Sequence, residues 1–353
     1  MNSMLARFIM NKFISSLKRL FIAIVFALML GAVIIIITSS KPSNAIKIFF
    51  LGPFSNKYFF GNMISYAIPL IISGLAASIA FSANMWNMGL EGQVYIGGLC
   101  GTYFACQMSS YPAAIAIPIA LIVSFLVGGA IAAVSSYLKT KWNINVFLSS
   151  LLIANGLFPF VTFFLEGPFN DPKAGFAASP RFNQNFMFSK ILSPSELHSG
   201  LFIALGFVVL FYFIRRQRVL GYEIKITGEN ALFAYYGGVP TGRVEIIAMF
   251  LSGGLAGLAG MINVFGSTGR MLGYMSMIGW NGIPIAIIAR YDPIIVVPAA
   301  LLFSFIQKGA EAGALFADIT PQVAQLIQAA IFYIITAEGL FDFIGIWKRK
   351  VVK

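Results

Sequence analysis

The stretch "NMWNMGLEGQVYIGG", residues 84–98, decides how this chain folds. It places the carboxylate of Glu91 between two long apolar runs, with Gly89 and Gly92 on either side. An unpaired ionisable group at membrane depth costs at least about 2.5 kcal/mol, so a chain retains one only with a partner or a function. The stretch therefore predicts a break between two apolar helices, with Glu91 in the first turn of the second helix.

The composition predicts an integral membrane protein that forms a single polytopic domain over residues 1–353. Of its 353 residues, 59% are apolar and 10% are charged, and the mean hydropathy is +0.86. Soluble domains are about 25% charged. The net charge of +12 lies in short Lys and Arg clusters that flank apolar runs, a pattern that disfavours a nucleic-acid partner and favours membrane lipid.

Ten apolar runs predict an all-α fold with about ten transmembrane helices, because each span needs roughly 20 apolar residues. The runs cover residues 20–38, 60–82, 93–108, 112–138, 144–165, 199–214, 244–265, 279–289, 293–307 and 321–337. The first run is longer than the roughly 7–15 residues of a signal-peptide core, so we expect it to be a retained span. Most Lys and Arg residues then lie on the inner side, which predicts that both termini are cytoplasmic.

The run that follows Gly279 is too short to cross a bilayer of about 30 Å, because Arg290, Asp292 and Pro293 interrupt it. A broken or re-entrant helix is expected here, surrounded by protein or a water-filled cavity. Gly279-x-x-Gly282 also repeats the Gly89-x-x-Gly92 spacing. This predicts an inverted repeat of spans two to five (60–165) and seven to ten (244–337), with the two motifs near opposite sides of the membrane, although glycines also mark ordinary helix packing.

Two long loops connect these units. The outer loop, residues 166–198, mixes aromatics with Asn, Gln and Pro, so it is either a docking surface for an extracytoplasmic partner or a solvated connection. The inner loop, residues 215–243, contains "ENALFAYYGG", which predicts two turns of amphipathic helix that end at Gly237 and Gly238.

No motif in the sequence indicates catalysis or metal binding. There is no G-x-x-x-x-G-K-[ST] loop for nucleotide phosphates, and neither paired carboxylates nor a Ser/His/Asp set can be argued. A membrane-embedded lipid-modifying enzyme is disfavoured for the same reason. The lone His198 is expected to be solvated, and Cys100 and Cys106 are expected to be small buried residues of one apolar run.

Three motifs resemble those of the permeases of ABC importers for nucleosides and simple sugars, in the branched-chain amino acid and ribose permease superfamily. The family pattern N-[IM]-G-x-E-G-Q is matched by residues 87–93. The second motif is the cytoplasmic pattern G-E-N-P-x-A-A-R-Y-A-G-[IV] followed by L-S-G-x-x-A-G-L-A-G, and it resembles "GENALFAYYGGV", residues 228–239, followed by "LSGGLAGLAG", residues 251–260. The pattern G-x-x-G-I-A-V-A-L-L-G-R-x-x-P resembles "GWNGIPIAIIARYDP", residues 279–293. The resemblance extends from about residue 60 to residue 337.

Three residues depart from the family patterns. Ala231 stands where the family usually has Pro, and Tyr235 stands where it usually has Arg, so a role of that Arg does not transfer. Pro284 replaces a small residue, and we expect it to break a helix that is already short.

The resemblance implies a non-catalytic permease subunit with the type II importer fold, in the bacterial cytoplasmic (inner) membrane. It implies two partner ATPase subunits that bind ATP and magnesium, a second permease (a homologue or a second copy) and an extracytoplasmic substrate-binding lipoprotein. No cofactor is expected in this chain. The implied coupling helix, which contacts the ATPase, would use Gly228, Glu229, Asn230, Ala234, Tyr236 and Gly238. Nucleosides are the expected substrates, because the extra first span and the long outer loop resemble the longer of two paired nucleoside permeases; ribose or another simple sugar is the alternative.

The substrate pathway is expected to use amides and aromatics, which offer transient hydrogen bonds and stacking to hydroxyl groups and a flat base. The candidates are Asn84, Asn87, Glu91, Gln93, Asn155, Trp280 and Asn281. Glu91 has two interpretations, a carboxylate on the substrate path or a helix-start group that accepts backbone N–H bonds, and we prefer the second. A rival of another class is an ion-coupled secondary transporter in which Glu91 or Asp292 carries protons.

Overall fold

The computed structural model describes residue 25, residues 28–274 and residues 276–336 of the chain. The first part of the predicted first span and both chain termini lie outside the described residues. The described part contains α-helices, two short 3-10 helices and a π-helical turn, and no β-strand, so the predicted all-α class is confirmed. The α-helices are α1 (Leu28–Thr38), α2 (Pro42–Leu51), α3 (Lys57–Ser82), α4 (Leu90–Gln107), α5 (Ala113–Trp142), α6 (Val146–Glu166), α7 (Gly200–Gln217), α8 (Val219–Glu229), α9 (Ala231–Tyr236), α10 (Thr241–Asn263), α11 (Ile278–Ile288), α12 (Pro293–Phe316) and α13 (Gln322–Thr336).

In the part of the chain that the structure describes, every predicted apolar run corresponds to one helix, but the helices differ in their capacity to cross a bilayer. Within the described residues, six helices are long and apolar enough to span a membrane alone: α3, α5, α6, α7, α10 with its π-helical extension, and α12. The other runs form α1, α4, α11 and α13. Three short helices, α2, α8 and α9, lie outside the predicted runs, and of these α9 was predicted separately, in the inner loop.

Helices α3 and α10 form the centre of the molecule. Their most apolar windows are 83% and 78% buried, whereas those of α5, α6 and α7 are only 22–28% buried and face outward. The glycines of "LSGGLAGLAG" permit close packing of α10: a Cβ at Gly257 would overlap the backbone of α5 at Ser124, and Gly97 of α4 approaches Gly257 equally closely. Small residues at such crossings let the backbones of membrane helices come together.

The central helices exchange partners between the two halves of the chain. Helix α3, from the first half, packs against α11 and α12, and α10, from the second half, packs against α4 and α5. In this partner exchange, the central helix of each half packs against the helices of the other half.

The short helix α11 confirms the predicted break and corrects the expected effect of Pro284. Helix α11 has 11 residues and runs without interruption past Pro284. The break lies instead after Ile288, where Arg290 and Tyr291 take positive φ angles of 50° and 61°. Asp292 then caps α12 by accepting the Ile294 N–H at 3.1 Å, and a proline that starts a helix loses no hydrogen bond.

Several helix termini that carry Lys and Arg residues lie at one end of the molecule, called the basic end. Lys139, near the end of α5, forms a 2.7 Å ion pair with Glu245 of α10, and the Glu245 side chain is nearly buried. At the same end, the last turn of α3 meets α8 so closely that a Cβ at Gly228 would overlap the Ser82 carbonyl. The α8–α9 segment is thus seated against the central helices at this basic end.

The outer loop at the opposite end is folded onto the core, which corrects its interpretation as a solvated connection. Phe182, Phe186 and Phe188 are buried, and the rings of Phe182 and Phe188 pack on Phe265 of the π-helical turn. The Phe188 N–H donates to the Phe265 carbonyl at 3.0 Å. The aromatics noted in the sequence thus attach this loop to the extension of α10.

His198 is also buried, contrary to the expectation that it is solvated. Its side chain is 2% exposed, its ring stacks on Phe188, and Gly266 lies directly against it. The Gly200 N–H donates to His198 Nδ1 at 3.2 Å, which requires a neutral acceptor nitrogen. Burial lowers the pKa of His198 to about 4.

Candidate translocation and coupling sites

The carboxylate of Glu91 is bound by the start of α11. Its Oε2 accepts the Gly279 N–H at 2.6 Å and the Trp280 N–H at 3.3 Å, and its Oε1 accepts the Met277 N–H at 2.9 Å. The Ser276 hydroxyl adds a longer bond of 3.3 Å to Oε1. Four donors therefore converge on one carboxylate that is 1% exposed.

Glu91 also lies in the first turn of its own helix, α4. The N-termini of α4 and α11 consequently meet at a single negative charge. Each N-terminus carries a partial positive charge and unsatisfied N–H groups, so an anion between them favours both helices. Glu91 accepts backbone N–H bonds, as expected. The donors, however, belong to α11 and to the residues directly before it, and not to α4.

The two Gly-x-x-Gly motifs are in contact, which corrects their expected separation across the membrane. A Cβ at Gly279 would overlap the backbone at Glu91 and Leu90, and a Cβ at Gly282 would overlap Ser73 of α3. Gly279 therefore permits the approach that brings the α11 N–H groups onto the carboxylate. The shared spacing marks two helix starts that touch.

The predicted amides Asn87 and Gln93 form a buried pair. Asn87 Nδ2 donates to Gln93 Oε1 at 2.9 Å, and Gln93 Nε2 donates to Asn87 Oδ1 at 3.0 Å. Asn87 also donates to the Ser252 hydroxyl of α10 at 3.0 Å and accepts the Gly89 N–H at 3.0 Å. In this conformation both amides hold the α4 start against α10, and neither faces open space.

The remaining pathway candidates are more accessible, but the structure does not bring them into one cluster. Asn84 is exposed at a positive φ of 57° and accepts a 3.3 Å bond from the Trp86 indole N–H. Asn155 is exposed on α6. Trp280 and Asn281 are half-buried, and the Asn281 side chain bonds with that of Tyr66 on α3.

The outer loop contacts the extended segment, residues 270–273, that leads to α11. The Ser179 N–H donates to the Met271 carbonyl at 2.9 Å, and the Met271 N–H returns a 3.0 Å bond to Ser179 Oγ. Arg270 lies 3.6 Å from the Asp171 carboxylate and over the Phe176 ring. The segment that precedes the donors to Glu91 is therefore attached to the outer loop along residues 270–273.

The implied coupling segment forms the two-turn helix α9, as the sequence predicted. Asn230 caps α9 by accepting the Phe233 N–H at 2.9 Å, and the helix ends at Gly237, with Gly238 at a φ of 86°. Ala234 is fully buried, whereas Leu232 and Tyr236 are 71% and 84% exposed.

Helix α9 thus presents a large apolar face to its surroundings. Phe233 and Tyr235 add to this face, each with 64% of its surface exposed. Glu229, at the end of α8, is also exposed and lies 3.8 Å from Lys225. Exposed apolar patches of this kind mark protein interaction sites or contact with the membrane surface.

Comparison with known proteins identifies the family. A model of the branched-chain amino acid transport system / permease component matches residues 59–336. The chain belongs to this permease family. The resemblance noted in the three motifs is confirmed, and this permease is a multi-pass membrane protein.

Similar permeases match almost the whole chain. A nucleoside ABC transporter permease protein of Lactococcus lactis is 27% identical over 94% of this chain and 93% of its own length. A guanosine ABC transporter permease protein of Bacillus subtilis is 25% identical over 97% of this chain and 99% of its own length. A glucose ABC transporter permease protein of Haloferax volcanii is 28% identical over 88% of this chain and 85% of its own length.

Some residues that organise the permease were not singled out from sequence. Ser252 and Ser276, which bond to the buried amides and to Glu91, carry no local signal. Lys139 and Glu245 could have been suspected as charges beside apolar runs, but their pairing depends on the packing of α5 on α10. Cys100 and Cys106 are free thiols that are only half-buried. Among the described residues, no group of three or more His, Cys, Asp or Glu side chains is arranged to hold a metal ion.

Proposed function

We propose that this permease is the non-catalytic membrane subunit of an ATP-driven importer for nucleosides. The observation that carries this proposal is α9, a capped two-turn helix with a buried alanine and four exposed apolar side chains. A subunit driven by an ATPase requires a docking element next to the helices that move, and α9 offers an exposed apolar face of that kind. ATP and magnesium would be bound by the partner ATPase subunits.

In this proposal α9 is the coupling helix that contacts the ATPase. Gly228 seats the segment against the end of α3, Asn230 starts the helix, Ala234 anchors it, and Tyr236 lies on the contact face. Glu229 offers a charge at the edge, and Gly238 turns the chain toward α10. Movement of α9 would then act directly on α3 and α10, the two central helices.

We further propose that the fold has ten spans: a first span, an inverted repeat of α3–α6 and α10–α13, and α7 between the two halves of the repeat. The partner exchange supports this arrangement, because α3 packs on α11 and α12 just as α10 packs on α4 and α5. Inverted repeats rock around a site where broken helices meet. The junction at Glu91 would be that site, with Trp280 and Asn281 the best-placed candidates to contact substrate.

Nucleosides are preferred over simple sugars because the Lactococcus and Bacillus permeases, named for nucleosides and guanosine, match this chain over nearly their full lengths. Ribose or another simple sugar is the second candidate, favoured by the similarity to the Haloferax glucose permease. The extracytoplasmic lipoprotein would deliver the substrate, and a second permease, identical or homologous, would complete the membrane assembly. Both termini would be cytoplasmic in the bacterial inner membrane.

The substrate is tested by the binding of adenosine, guanosine, uridine and ribose to the cognate lipoprotein. Binding of a nucleoside supports the proposal, and binding of ribose alone would replace it with the sugar alternative. The energy source is tested separately in proteoliposomes that contain the complete transporter. Uptake should require ATP and survive an uncoupler, whereas uptake that stops with the proton gradient would indicate an ion-coupled transporter.

A further inference from the structure

A cavity of about 650 Å³ lies between the central helices and the α7–α8 corner, at the basic end of the molecule. Helices α3, α7, α8, α10 and α11 form its walls, and the α11–α12 corner closes one side. The polar groups of the junction at Glu91 do not line it. Its lining residues include Leu75, Ile79, Phe211, Ile224, Leu251 and Ile287.

The lining changes from apolar to charged along the cavity. On α7, Phe211 and Ile214 precede Arg215, and on α11, Ile287 precedes Arg290 at the following corner. Helix α8 crosses the mouth and contributes Lys225 and Glu229. The α7 and α11 walls are thus apolar toward the membrane interior and charged toward the basic end.

The mouth has an excess of positive charge. Arg215, Lys225 and Arg290 line the cavity, against the single carboxylate of Glu229 in its lining, and Arg216 and Arg218 lie beside the mouth in the α7–α8 corner. Arg215 is already engaged, because it donates to the Tyr291 carbonyl. Arg216 lies over the Tyr212 ring at 5.6 Å and Arg218 over the Phe213 ring at 4.9 Å.

These aromatic contacts hold the guanidinium groups at the edge of an outward-facing span. Tyr212 and Phe213 are exposed on α7, whose most apolar window is only 22% buried. Tyr side chains and cations at the end of a span mark the level of the lipid headgroups. Basic clusters directly beyond a span attract anionic lipid, at about 1 kcal/mol per charge.

We propose that this cavity binds one anionic phospholipid, with its phosphate at Lys225 and Arg290 and an acyl chain along the apolar walls. The apolar interior and the cationic mouth complement the two parts of such a molecule. A small soluble phosphate compound would leave the apolar walls unused. Assignment of the site to the inner leaflet rests on the proposed topology, but the binding itself does not depend on transport.

The position of α8 gives the lipid a consequence for coupling. Helix α8 forms one wall of the cavity and is followed directly by Asn230, the cap of α9. A bound lipid bridges α8 to α3 and α7 and so limits the movement of α9 relative to the membrane. Lipid composition should therefore alter the transmission of motion from the coupling helix.

Native mass spectrometry of the full-length chain in a mild detergent tests the proposal. The chain is titrated separately with phosphatidylglycerol, phosphatidylethanolamine, inorganic phosphate and guanosine monophosphate. The test variant is Lys225→Gln/Arg290→Gln, which removes two charges that line the cavity, and the matched control is Arg243→Gln, which removes an exposed charge outside the lining.

We expect one retained phosphatidylglycerol per chain, weaker binding of phosphatidylethanolamine, and about thirty-fold weaker phosphatidylglycerol binding by the double variant. The Arg243→Gln control should bind like the wild type. Equal binding by the double variant, equal retention of both lipids, or displacement of the lipid by either soluble phosphate would each overturn the proposal. A failure of nucleoside transport would leave these readings unchanged, so the two proposals fail independently.

Discussion

The Glu91 carboxylate accepts the Gly279 N–H at 2.6 Å across a gap of 188 residues in sequence. This bond joins the first turn of α4 to the first turn of α11. Three further donors complete the carboxylate's surroundings, two of them backbone N–H groups and the third the Ser276 hydroxyl, so backbone dipoles supply most of its partners. The junction therefore depends on an anion at this position more than on any particular side-chain packing.

Replacement of Glu91 by Gln should destabilise the protein and reduce transport together. The amide keeps one acceptor oxygen but turns an NH2 group toward backbone donors, and hydrogen bonds to charged groups contribute about 1.5–3 kcal/mol each. We expect the unfolding free energy to fall by about 3 kcal/mol. Thermal unfolding in detergent, followed by Trp fluorescence, measures this change. Glu229→Gln, at an exposed carboxylate, should change the midpoint little. A Glu91→Gln protein that unfolds like the wild type but no longer transports would instead assign Glu91 to the transport step.

Removal of the α9 cap should uncouple the permease without unfolding it. Asn230→Ala eliminates the acceptor for the Phe233 N–H, a change that costs about 0.5–2 kcal/mol at a helix start. The consequence stays local because α9 is short and exposed. We expect weaker stimulation of the partner ATPase by substrate-loaded lipoprotein, with an unchanged thermal midpoint.

Asn56→Ala is the matched control for the α9 cap. Asn56 caps α3 through the same geometry, with the Phe59 N–H donating to its side-chain oxygen at 3.0 Å. This substitution should leave coupling intact. Equal loss of stimulation in both variants would show that α9 has no special part in coupling.

The apolar runs predicted every main helix, because each membrane span must satisfy its own backbone hydrogen bonds. Helix α9 was also predictable, since Asn230 and Gly237 are local start and stop signals. The partners of Glu91 were not predictable, because they come from the packing of α11 against α4 and leave no mark near residue 91. The burial of His198 escaped prediction for the same reason: loop packing is not periodic.

Loss of the ion pair between α5 and α10 should be costly. Lys139→Met leaves the nearly buried Glu245 carboxylate without its 2.7 Å partner, and breaking a buried pair costs about 3–5 kcal/mol. Because Lys139 is partly exposed, we expect the lower part of that range. The check is thermal unfolding of Lys139→Met and of Lys139→Met/Glu245→Gln, and the second substitution should recover much of the loss.

An exposed pair gives the comparison for this prediction. Lys225 and Glu229 are 3.8 Å apart and both mostly exposed, so Lys225→Met should lower stability by less than about 1 kcal/mol. If Lys139→Met and Lys225→Met had equal effects, the pair between α5 and α10 would have no structural role.

The stability of the outer end should fall as the pH drops below about 6.5. The folded protein keeps His198 neutral, with its pKa lowered to about 4, whereas the unfolded chain titrates near 6.5. The stabilising contribution is therefore complete above pH 6.5 and is lost as the pH falls toward 4, because protonation turns Nδ1 into a donor that opposes the Gly200 N–H. Between pH 7.5 and pH 5 we expect a loss of about 2 kcal/mol.

His198 is the single histidine of the chain, so a substitution isolates its titration. His198→Gln should be less stable at pH 7.5, and its thermal midpoint should change less than that of the wild type between pH 7.5 and pH 5. Carboxylates titrate in both proteins and cancel in the difference. Parallel pH profiles would mean that His198 has the same pKa in the folded and the unfolded chain, and its burial against Gly200 and Phe188 would then need another explanation.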